Sequence, residues 1–102
     1  MIVGIYKFTP TTATGAATDT TQVLKGQLMG ITVKADTVTT TFNFAINDSD
    51  GDPIFYETGV AGTLVDNSPI LLPYDMYTWV ISSASADEAF TVKLKVLEAT
   101  SQ

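Results

Sequence analysis

The chain has 102 residues, enough for one domain with a single packed core, and 45 % of them are hydrophobic. Its formal net charge is -6, with five Lys and no Arg, His or Cys. That composition excludes disulfides and thiolate or imidazole chemistry, and it argues against a cationic nucleic-acid stripe or attraction to an anionic membrane.

Taken in chain order, the first element predicted is a strand over Ile2–Phe8. Its apolar residues fall on both parities, Ile2 and Tyr6 against Val3 and Ile5, so both faces need covering. Pairing within its own sheet and strand addition to a neighbouring molecule are both open for it. Residues 9–21 are rich in Thr and Ala, with no large apolar side chain, and are expected to form a loop or mobile arm inside the single domain 1–102. A long strand is predicted over Val23–Ala35, with a break near Gly26 or Gly30.

Val38–Asn47 alternates cleanly. Val38, Thr40, Phe42, Phe44 and Ile46 share one face, which predicts a core-facing row. Asp48-Ser49-Asp50-Gly51-Asp52-Pro53 is a run of turn formers, and Ile54–Glu57 then returns as the partner strand. Shorter strands are expected at Gly62–Val65, Pro69–Leu72 and Met76–Ser82. In Met76–Ser82 the row Tyr77, Trp79 and Ile81 opposes Met76 and Val80, again apolar on both faces. Ser83–Glu88 has room for one short turn. Glu88–Glu98 closes the domain, with Phe90, Val92, Leu94 and Val96 on one face and Thr91, Lys93 and Lys95 on the other. Two lysines there would discourage edge-to-edge pairing if the strand lay at a sheet edge. Eight Asp punctuate these runs, as turn residues do. The pattern predicts an all-β antiparallel sandwich of about eight short strands.

Candidate chemistry is sparse. Without His or Cys the commonest general base and the strongest nucleophile are missing, so an enzyme is not expected. Asp48, Asp50 and Asp52 resemble the start of a calcium loop. Gly51 comes one position early and no bidentate Glu follows at the required spacing, which favours a solvated hairpin turn over calcium. No other cofactor is indicated. Among the aromatics Phe55, Tyr56, Tyr74, Tyr77 and Trp79, mid-strand Trp79 suits core packing, while Tyr56 and Tyr74 sit nearer loops. Candidate interface residues are Ile2, Val3, Ile5, Tyr6, Phe8, Tyr56, Tyr74 and Met76. The N-terminal residues lack the basic start and long apolar stretch of a signal peptide, so none is expected.

The strand Leu24-Lys25-Gly26-Gln27-Leu28-Met29-Gly30-Ile31-Thr32-Val33 is followed by Thr41–Asn47 and its Asp-Ser-Asp-Gly-Asp-Pro turn. Together with the closing strand Phe90–Val96, this layout resembles small tailed-bacteriophage virion proteins of the decoration or cement type. The likeness runs from Leu24 to Glu98; Ser82–Asp87 departs from the Gly-rich loop that family would carry there. The resemblance implies a jelly-roll sandwich made in the host cytoplasm that binds the major capsid protein and reinforces the phage head, with a homotrimer favoured. A carbohydrate-binding or adhesive module and a tail or baseplate accessory protein are the alternatives.

Overall fold

A computed structural model of the chain describes residues 2–98. Among them are nine strands and no helix. They are β1 (Ile2–Phe8), β2 (Ala17–Thr20), β3 (Leu24–Ala35), β4 (Thr41–Asn47), β5 (Pro53–Ala61), β6 (Thr63–Asp66), β7 (Ile70–Asp75), β8 (Thr78–Ser82) and β9 (Phe90–Glu98). Two antiparallel sheets pack together as a sandwich. One has the order β1-β9-β3-β6, with β7 also paired to β3; the other runs β2-β8-β4-β5. β6 lies beside Ile31–Lys34 and β7 beside Leu24–Leu28, so two short strands share one edge of the long β3.

The predicted alternation places the core. Phe42, Phe44 and Ile46 of β4 are buried, as are Trp79 and Ile81 of β8 and Phe90, Val92, Leu94 and Val96 of β9. Aromatic contacts cross between the sheets. Phe8 meets Trp79 at 5.4 Å between ring centroids, and Phe42 meets Phe90 edge-on at 5.0 Å. The buried indole Nε1–H of Trp79 has no acceptor.

β3 explains the breaks expected near Gly26 and Gly30. Its buried residues change parity along the strand: Leu24 and Leu28, then Ile31, Val33 and Ala35. Leu28 faces Val96 while Gly30 faces Lys95, so the extra residue Met29 is absorbed in a bulge. Without it, half of the apolar row of β3 would point to solvent. A second irregularity against β7 falls between Leu24 and Gly26.

At four points the structure departs from an expectation or decides one left open. The strand expected from Val38 begins at Thr41, and Val38 is 72 % exposed in the preceding loop. β9 lies between β1 and β3, so its lysines protect no sheet edge. β1 pairs along its whole length with β9 of its own chain, from Ile2 opposite Glu98 to Phe8 opposite Val92, and so adds to its own sheet.

The fourth point concerns residues 9–21. They form no free arm: Ala17–Thr20 is a strand paired with β8. Thr12 is buried, its hydroxyl donating to the Ser85 carbonyl at 2.6 Å and accepting from the Glu88 N–H at 2.9 Å. Thr14 and Gly15, both at positive φ, turn a two-residue hairpin closed by paired bonds between Ala13 and Ala16. Thr21 is buried against Tyr77, its hydroxyl accepting the Tyr77 N–H at 3.1 Å. Hydroxyl and backbone hydrogen bonds hold this segment where apolar burial is lacking.

Candidate functional site

The acidic turn between β4 and β5 is organised by its own backbone. The Asp48 carboxylate accepts N–H bonds from Asp50 at 3.0 Å and Asp52 at 2.9 Å. Gly51, at φ 85°, donates to the Asp48 carbonyl at 3.0 Å. This is an Asx-stabilised turn, and it accounts for an Asp at position 48 and a Gly at position 51. Carboxylate oxygens of Asp48, Asp50 and Asp52 lie within 4.8 Å of one another. They are the residues that would hold a calcium ion, but one oxygen of Asp48 is already committed to two backbone donors.

Asp75, at the end of β7, ties that turn to the neighbouring sheet. It accepts the Ser49 hydroxyl at 2.9 Å and the Ser49 N–H at 3.2 Å. These bonds hold its carboxyl below the usual carboxylate range. Tyr77 lies nearby with its phenol donating to the Pro73 carbonyl. Burial, then the charges of Asp75 and Asp48, push that phenol up. An open depression beside the turn is lined by Thr20, Asn47, Asp48, Ser49, Met76 and Thr78. A second one, at Thr9, Lys34, Asp36 and Phe90, involves different strands. Neither brings together an acid, a base and a nucleophile in a closed site.

The predicted interface residues do not form one surface. β1 includes Ile2, whose side chain lies outside the described residues. Val3 and Ile5 are 52 % and 65 % exposed on the outer side of the five-stranded sheet. Tyr6 and Phe8 turn inward and pack on the core. Burial and the Glu98 carboxylate push the Tyr6 phenol up. Tyr56 is exposed on β5 of the four-stranded sheet, Tyr74 on β7 of the five-stranded one, and Met76 beside the acidic turn. Trp79 is in the core.

The sequence did not reveal how charge is sorted. Residues in direct register across a sheet share a face, so the pairing reads out each face. On the outer side of the five-stranded sheet Lys7 faces Lys93, Ile5 faces Lys95, and Val3 faces Leu97. Thr32 follows Lys93 across the sheet, and Lys34 faces Thr91. Lys25 follows the buried Leu24 and is exposed on the same side. All five lysines of the chain therefore gather on one face. None of the eleven carboxylates takes an outward register position there. The outer side of the four-stranded sheet is neutral by comparison, with Thr18, Thr20, Thr78 and Ser82 beside Asn43 and Ala45. The only sequence signal for this sorting was the shared parity of Lys93 and Lys95.

No protein-family model and no curated protein matches this chain.

Proposed function

We propose that the chain is a non-enzymatic structural protein of a tailed-phage virion, which binds the major capsid protein and reinforces the head. The observation that carries this reading is a sandwich whose outer sheet face displays Val3, Ile5, Val65 and Leu71 at 52 % to 75 % exposure. Exposed aliphatics on one sheet belong to a protein that works through a surface. The open depressions at its ends lack catalytic groups in working arrangement. The strand-and-turn resemblance from Leu24 to Glu98 supplies the virion setting, and the jelly-roll winding and homotrimer belong to the same proposal. Electron microscopy of the source particle tests it. Density for this chain on the head supports the proposal, and a head without it refutes it. Sedimentation of the pure protein tests the trimer, which a monomer at all working concentrations would refute.

The carbohydrate reading is the less favoured, because its loop-proximal aromatics Tyr56 and Tyr74 belong to different sheets. The tail-accessory reading differs only in location. A gene beside the major capsid gene favours the head; one among tail genes favours the tail.

A further inference from the structure

We infer that the outer face of the five-stranded sheet is the surface by which the chain seats on its shell, and that its acceptor is a protein surface with an acidic middle and aliphatic flanks. This rests on the function proposed above.

Three observations converge on this face. The first is charge sorting in a chain of net charge -6: five lysines on one sheet whose register holds no outward carboxylate, with Asp36 just past β3 beside Lys34 at one end. The second is an uncompensated repulsion. Lys7 and Lys93 stand directly opposite each other, and Lys95 follows two residues along the same face. Like charges in direct register destabilise a sheet, and an opposite charge from outside relieves them. The third is the company the lysines keep. Ile5 faces Lys95, Val3 faces Leu97, Val65 faces Thr32 and Leu71 faces Gln27. Val65 and Leu71 are 59 % and 75 % exposed. The aliphatics stand on the edge strands β1, β6 and β7, and four of the five lysines on the inner strands β3 and β9, so the face is a cationic band flanked by exposed aliphatics.

The area is sufficient. Four strand positions about 4.8 Å apart, along a β3 rising about 3.3 Å per residue, give a face on the order of 700–800 Å², close to one partner's share of a standard interface.

The same observations select the occupant. Two copies meeting face to face would set Lys against Lys, so the face is not a self-complementary dimer surface. A nucleic acid would favour Arg and a run of stacking aromatics, but the chain has no Arg, and among the described residues Tyr74 is the one strongly exposed aromatic on this sheet. The carboxylates elsewhere repel an acidic shell, so approach is productive only with the lysine face leading.

The test uses heads purified from a source-phage mutant lacking this gene, with the full-length protein added back. Wild type should bind, and binding should weaken about tenfold or more between roughly 50 mM and 500 mM salt. Lys93→Glu puts opposite charges in register with Lys7, so its melting temperature should not fall. Its affinity should nevertheless drop about tenfold, and Lys93→Glu/Lys95→Glu should drop further. Thr41→Glu, on the outer side of the other sheet, should bind like wild type.

If wild type does not bind, the proposed function fails and this inference fails with it. Should wild type and Lys93→Glu/Lys95→Glu bind alike, the function stands and this face is not the seat. Displacement of the protein from heads by double-stranded DNA at comparable concentration would also overturn the inference, by making the face a phosphate-binding surface.

Discussion

Replacing Phe44 by Ala tests the core most directly. Phe44 is fully buried in β4, between Ile81 of β8 and Glu57 of β5 in register. Its ring stacks on Trp79 at 6.5 Å and tilts against Phe55 at 6.3 Å. Burying such a side chain contributes about 1.5–3 kcal/mol by transfer from water. The cavity left among these rings raises the cost of truncation to about 3–5 kcal/mol. A domain of this size has roughly 5–15 kcal/mol in total, so the variant loses a large share of its stability. At about 4–8 °C per kcal/mol, its melting temperature should fall by at least about 12 °C. Urea unfolding followed by Trp79 fluorescence is the assay, because the chain has one Trp and it contacts Phe44. The midpoint should move while the slope with urea stays constant. Val38→Ala is the companion, since Val38 shares the sequence parity of Phe44 but is exposed, and should change stability by no more than about 0.5 kcal/mol. A Phe44→Ala protein melting within about 2 °C of wild type would refute the assigned packing.

Gly62→Ala should destabilise by roughly 1–3 kcal/mol in the same urea assay: Gly62 has φ 75°, and an added Cβ would come within 2.5 Å of the Val38 carbonyl oxygen. An unchanged midpoint would place the chain's passage from β5 to β6 elsewhere. Deleting residues 1–21 should abolish the cooperative melting transition, because it removes β1 from one sheet and β2 from the other; circular dichroism of a folded, cooperatively melting fragment would contradict this. Stability should also decline in alkali. The Tyr77 and Tyr6 phenols are raised above their ordinary 10.0, so their contribution is complete below that value and lost as pH rises through their folded-state values. Tyr77→Phe should flatten the fall in melting temperature above about pH 10. Asp75 acts in the opposite direction. Its lowered value gives a contribution present above 3.8 and lost as pH falls through the folded-state value, and Asp75→Asn should reduce the acid sensitivity.

The sequence by itself determined the all-β class and the inward rows of β4 and β9. In those strands period-2 alternation is unbroken, and burial follows parity. It also determined the acidic turn, because Asp, Gly and Pro act through their own local backbone. Three other features had to wait for the tertiary structure. Residues 9–21 looked unanchored because their anchors are distant: Thr12 bonds to Ser85 and Glu88, and Thr18 to the Trp79 carbonyl. The inward row of β3 depends on a bulge at Met29, which is visible only against the register of β9. The candidate site is of the same kind. Alternation puts Lys93 and Lys95 on one side of one strand, but nothing local relates that side to Lys7 or Lys34. Only the pairing of β9 with β1 and β3 brings these charges onto one face, because strand register is a long-range property that no stretch of sequence carries alone.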